Sequence, residues 1–228
     1  MKRPARDLEP VPAGLRLAIR GDFAPVPSLA SPWRRAGRLA LPALAVPLAA
    51  HLAAALWEGV PSFSLSRLGC AGLQWLIGLA LLWLAMREAV PGLGIGGGKA
   101  ALALISALGL EAALGVLIWQ RSGAGISTPD GASIGVQCAL METLIALPHL
   151  AVALWLARRA LPLRPLWAGA LSGAGAGLLA DVVWHLACPR TDLEHLALWH
   201  PGATLSMALL GAAAGWIWNR GGRLPKHS

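Results

Sequence analysis

Charge is scarce in this chain: 13% of its 228 residues are Asp, Glu, Lys or Arg, while 56% are hydrophobic. A soluble domain carries about a quarter charged residues, so an ordinary soluble fold is excluded. Cysteine is limited to Cys70, Cys138 and Cys188, with no Cys-x-x-Cys pair and no zinc-signature spacing. The usual dithiol-oxidoreductase and zinc-finger motifs are therefore absent. No internal repeat is evident, which argues against a transporter built from inverted halves. Period-2 alternation is missing as well, and with it the strand reading.

What is present is a series of long Ala/Leu-rich runs and a mean hydropathy of +0.60. A hydrocarbon core about 30 Å thick needs a helix of roughly 20 apolar residues. Six such spans are legible, at about 39–57, 68–86, 99–119, 136–157, 166–187 and 199–218. The expected fold is an all-α polytopic membrane bundle of six transmembrane helices. Residues 1–38 form the N-terminal tail, 39–218 the membrane domain and 219–228 the C-terminal tail. The connections are too short for a second globular domain.

Orientation follows from the basic residues. Sixteen of the nineteen lie in the N-tail, the 87–99 turn, the 158–165 turn and the C-tail. The opposite side holds Arg67, Arg121 and Arg190. By the positive-inside rule both termini are expected to be cytoplasmic. The net charge of +8 is then mostly this signal, which removes the main support for a nucleic-acid partner. Tryptophans cluster near span ends as an aromatic belt, and Trp75 lies deeper. An export-signal reading of Arg34-Arg35 conflicts with the long segment before it and would leave five spans.

Two glycine patterns are weaker than they look. Gly92, Gly94 and Gly97 match G-x-G-x-x-G, and Gly98-Lys99 hints at a P-loop. No strand precedes them and Ala100 replaces the required Ser/Thr, so a flexible cytoplasmic turn is expected. Gly169, Gly173 and Gly177, with Gly211 and Gly215, form small-residue stripes suited to close helix packing in lipid.

Ionisable groups inside spans are functional candidates because burying them in lipid is costly. Span two carries Cys70 and Gln74, and span four carries Cys138, Glu142 and His149. Span five carries Asp181, His185 and Cys188 on one helical face. His51 and Glu111 add one polar group each to spans one and three. The last outer loop adds Asp192, Glu194, His195 and then His200. All three thiols fall at the end facing away from the cytoplasm. A thiol pair of Cys138 and Cys188 is chemically permitted in an oxidising periplasm. Alternatively, thiolates with His185, His195 or His200 and nearby acids hold a soft, zinc-like divalent metal at the outer rim. A bland reading also stands, with each Cys a small apolar residue and the acids interhelical partners.

The motifs Cys138, Leu147-Pro148-His149, Arg158-Arg159-Ala160-Leu161-Pro162-Leu163-Arg164-Pro165, Trp167-Ala168-Gly169 and His185-Leu186-Ala187-Cys188-Pro189 occur in that order. With Trp199-His200 and the N-terminal Gly21-Asp22-Phe23-Ala24-Pro25, this arrangement resembles the NrsF family, named for negative regulation of sigma F. The resemblance implies a six-span, non-enzymatic inner-membrane anti-sigma factor. Such a protein would bind an extracytoplasmic-function sigma factor and release it under metal or oxidative stress, with no small-molecule substrate. It also implies that Cys138 and Cys188 are the sensing thiols. Cys70 has no such counterpart, and His195 and His200 are suggestive without a role carried over. For sigma contact, Leu15, Ile19 and Phe23 could form one side of a short helix, set against a Pro- and Arg-rich unstructured tail. The competing function is a membrane thiol oxidoreductase or metal transporter.

Overall fold

The computed structural model describes residues 12–22, 28–58, 65–122, 131–188 and 190–221. Phe23 lies outside these, as do the side chains of Ile19, His51 and His185. All regular structure among the described residues is helical: α1 (Ala13–Asp22), α2 (Pro32–Glu58), α3 (Leu65–Glu88), α4 (Gly97–Ser122), α5 (Gly131–Arg158), α6 (Pro165–Ala187), a π-helical turn (His195–Trp199) and α7 (His200–Gly221). Leu/Ala-rich runs favour this because a backbone in lipid must satisfy its own hydrogen bonds. Five segments, Leu68–Glu88, Gly97–Arg121, Ser133–Arg158, Pro165–Trp184 and His195–Trp218, are long and apolar enough to cross a membrane. The 27 residues of α2 occupy the place of the first expected span, so six spans is an approximate count.

α2 begins at Pro32, inside the segment read from sequence as tail. Arg35 explains the early start. Its guanidinium is buried and donates to the carbonyls of Met86 at 2.9 Å and Leu156 at 3.3 Å. One arginine thus joins α2 to the C-terminal ends of α3 and α5.

α6 is the axis of the bundle. In its most apolar window 83% of residues are buried, against 22% in α5. It packs on α3, α5 and α7. The α6–α7 seam is built from the glycine stripes: a Cβ on Gly173 would lie 2.7 Å from the Met207 carbonyl carbon, and one on Gly177 would lie 2.9 Å from Thr204 Cα. Gly78 and Gly175 serve the α3–α6 seam in the same way.

Helices alternate in direction, so the bundle has two distinct ends. One end is basic, and its arginines lie over tryptophan rings: Arg87 on Trp83, Arg158 on Trp218, Arg159 on Trp155 and Arg220 on Trp216. The α3–α4 connection at this end is not the flexible turn expected from its glycines. Buried Glu88 accepts the backbone N–H groups of Ile95 at 2.7 Å and Gly96 at 3.4 Å, while Gly92 and Gly96 take φ of 82° and 87°. Only glycine adopts such angles without strain, so the run serves a fixed turn. Arg164 approaches Glu88 at 3.9 Å, but its exposure leaves that pair largely screened.

Candidate functional site

The opposite end carries the thiols. α5 places Cys138 one turn from Glu142, and α6 places Asp181 two turns before Cys188. Cys188 itself ends α6: its backbone is extended, with φ −72° and ψ 121°, and its N–H still donates to Trp184 at 2.7 Å. The chain then needs a device to send the following histidines back inward. Asp192 supplies the start. Its carboxylate takes Arg190 Nε at 2.8 Å and the His195 backbone N–H at 3.2 Å. Burial pushes the Asp192 pKa up, but Arg190 outweighs it and holds the group below the usual carboxylate range.

The π-helical turn does the rest. In an α-helix, residues five apart point about 140° away from each other. The i→i+5 bonding of a π turn brings them back into register. His195 and His200 are both buried, with ring centroids 5.1 Å apart and planes crossed at 77°.

Two donor groups result, and among the described residues these are the clusters able to hold a metal ion. In the first, Cys138 Sγ lies 4.0 Å from Cys188 Sγ, which lies 3.3 Å from His195 Nε2. In the second, His200 Nδ1 contacts Asp181 Oδ1 and lies 3.5 Å from Glu142 Oε2. Gln74 orients Asp181 by donating to Oδ2 at 2.6 Å, and Thr204 donates to Glu111 at 2.9 Å. All these acids are buried. The network therefore ties α3, α4, α5, α6 and α7 together just inside the thiols.

Cys188 sits beyond the apolar span of α6. Burial raises its pKa, but hydrogen bonds from His195, His200 and the Arg190 backbone outweigh that and bring it to about 6. A thiolate is the nucleophile and metal ligand of cysteine chemistry. With two sulfurs, an imidazole and a buried His195 Nδ1 that has no partner, the donor set fits a soft divalent cation. Modification of Cys188 by a small methanethiosulfonate, in a chain with Cys70 and Cys138 replaced by Ser, should rise through about pH 6 and then level off. A rate still climbing at pH 9 would mean an ordinary thiol.

Cys70 stands apart. It packs in an apolar cluster with Leu114, Ile118 and Leu196 and belongs to neither donor group. His149 is separate too, its Nδ1 bonding the Ile145 carbonyl of its own helix at 3.0 Å. Glu194 lies exposed ahead of the π turn. Leu15 is exposed on α1, together with Leu17. Sequence reading missed Thr204, although it lies one turn from His200 and that spacing was there to be read. It also missed Arg35, whose carbonyl partners exist only once helices meet, and Glu88, whose N–H partners lie in the turn that follows it.

No solved structure matches the chain. The anti-sigma-F factor NrsF of Caulobacter vibrioides (strain NA1000 / CB15N) is 35% identical over 81 residues, which cover 35% of this chain and 38% of that protein. The chain is thus matched to less than two-fifths of that relative's length. The family described as "Negative regulator of sigma F" matches residues 21–220, nearly the whole membrane bundle and part of the tail. The chain belongs to the NrsF, or negative regulator of sigma F, family.

Proposed function

We propose that this chain is an inner-membrane anti-sigma factor that holds an extracytoplasmic-function sigma factor and releases it when Cys138 and Cys188 are modified. In this reading the basic end faces the cytoplasm and the thiol end the periplasm, which the bias of Lys and Arg supports. The carrying observation is the Cys138–Cys188 pair, 4.0 Å apart with His195 against one sulfur, at the end opposite the basic one. Its role is regulatory rather than enzymatic.

Oxidation supplies a balanced trigger. The Cys188 thiolate attacks a hydroperoxide, breaking the O–O bond to give a sulfenic acid and, after protonation, water or an alcohol. Cys138 then attacks that sulfur, forming the S–S bond and releasing water. An S–S bond is about 2.05 Å long, so the two sulfurs must close by about 2 Å. That pulls the start of α5 toward the end of α6. A soft metal ion would be held by Cys138, Cys188 and His195. On α1, exposed Leu15 offers an apolar contact for the sigma factor.

Co-purification from the native host in detergent tests the reading. The parent chain should retain a sigma factor. Peroxide should lower the retained amount about tenfold, a shift needing about 1.4 kcal/mol of differential stabilisation. Cys70→Ser should respond like the parent, and Cys138→Ser or Cys188→Ser should keep the sigma factor bound. Absence of any sigma factor sinks the anti-sigma reading, and equal release from all four chains sinks the thiol trigger. Catalytic turnover of thiols or cation flux in vesicles would favour the oxidoreductase or transporter instead.

A further inference from the structure

The Glu142–Asp181–His200 cluster meets the thiol pair through His200 alone, and its side chains are deeply buried among the described residues. Glu142, Asp181 and Thr204 have no exposed surface, and His200 has 2%. Glu142 is the telling member. Both of its carboxylate oxygens are buried and neither accepts a hydrogen bond, although the closer one lies 3.5 Å from His200 Nδ1. A carboxylate left so in a lipid-embedded core is costly unless a cation or proton balances it.

The surroundings favour a cation. One oxygen of Glu142, one of Asp181 and one ring nitrogen of His200 all lie within 4.8 Å of one another. They come from three different helices, so the cluster is a convergence point and not a run of acids on one surface. Asp181 is already oriented from behind by Gln74, whose amide takes Oδ2 at 2.6 Å and leaves Oδ1 facing the cluster. Such an outer hydrogen bond is how protein sites fix a carboxylate ligand. Ligand bonds of about 2.0–2.2 Å to imidazole nitrogen and carboxylate oxygen suit zinc and its first-row neighbours. Three ligands on such an ion would stand a little over 3 Å apart, so small side-chain rotations suffice.

We propose that Glu142, Asp181 and His200 form a divalent-cation site of oxygen and nitrogen donors, separate from the sulfur-bearing group of Cys138, Cys188 and His195. The two groups sort cations by chemistry. Thiolates select soft ions, whereas two carboxylates and an imidazole accept borderline ions such as zinc or cobalt. Because its ligands sit on α5, α6 and α7, an ion there clamps the helices that the thiol pair would move.

The test uses full-length protein in detergent, stripped by a chelator and titrated with Co²⁺ or Zn²⁺ alone. A chain carrying both Cys138→Ser and Cys188→Ser should still bind about one equivalent, without the thiolate charge-transfer band that cobalt–sulfur bonds give. Glu142→Gln in that background should weaken binding about a hundredfold, since it removes a charged ligand. Should Glu142→Gln fail to fold, Asp181→Asn reads the same site. No cation bound by the chain lacking Cys138 and Cys188 overturns the proposal, whatever the sigma factor does. Equal affinity with and without the Glu142 carboxylate overturns it also.

Discussion

Replacing Gly173 by valine should lower the folded yield of the purified protein and bring down its thermal midpoint in detergent sharply. α6 and α7 meet backbone to backbone: a Cβ on Gly173 would lie 2.7 Å from the Met207 carbonyl carbon and 3.0 Å from Ala208 Cα. Carbon atoms in contact prefer separations of about 3.5–4.0 Å. No side-chain rotation can relieve the clash, because the obstructing atoms are main chain. The helices must separate, opening a gap along a seam that also includes Gly169, Gly177, Gly211 and Gly215. Overpacking a core commonly costs 1–3 kcal/mol, and a backbone-limited site belongs at or above about 3 kcal/mol. Gly72→Ala and Gly109→Ala are the controls. A Cβ at either meets nothing within 4 Å, and removing a mid-helix glycine should stabilise the helix by about 0.5–1 kcal/mol. A Gly173→Val chain that melts with the parent would refute close α6–α7 packing as a determinant of this fold.

The glycine seam was legible before any coordinates, and so were the helices, because lipid imposes a simple code. Apolar runs of roughly 20 residues must be helical, and small residues four apart must face a neighbour. Cys138, Glu142 and Asp181 were legible for a similar reason: a polar group inside a span needs a partner. What could not be read was who the partners were. Gln74 meets Asp181 across 107 residues of sequence, and Thr204 meets Glu111 across 93. Cys70 shares its end of the bundle with the other thiols, yet it faces Leu114 and Ile118, a rotational fact that a count of span ends cannot contain. His195 and His200 were legible as candidates, but their convergence was hidden by periodicity. A spacing of five is discordant on a 3.6-residue helix, and the sequence does not announce a π turn. The Gly92–Gly97 run misled in the opposite direction, since composition suggests mobility where Glu88 fixes the turn through two N–H groups.

Arg35 carries the second large expectation, because its placement contradicts the rule that arginines at span ends face water. The Arg35→Met chain should lose about 2–4 kcal/mol of stability and retain about tenfold less sigma factor without any oxidant. Two effects oppose each other at this site. Removing a buried guanidinium relieves its desolvation, and methionine fills much of the same volume. Against this, the carbonyls of Met86 and Leu156, at the C-terminal ends of α3 and α5, lose their donors. Helix C-terminal carbonyls carry partial negative charge and have no partner within their own helix, so a buried cation there answers two needs at once. The second effect should win, since an orphaned buried carbonyl costs about 1–3 kcal/mol and two are exposed together. The consequence for release follows from connectivity. Arg35 begins the helix that follows α1, while α5 carries Cys138 and Glu142 at its far end. Cutting the tie should free the α1–α2 segment from the thiol-bearing helix and mimic the triggered state. Arg34 and Arg38 are exposed on the same turn of α2, so Arg34→Met and Arg38→Met should leave both stability and retention at parental values. If all three substitutions behave alike, Arg35 is merely one more basic residue at the membrane face, and the coupling between the two ends of the bundle must run through α6 instead.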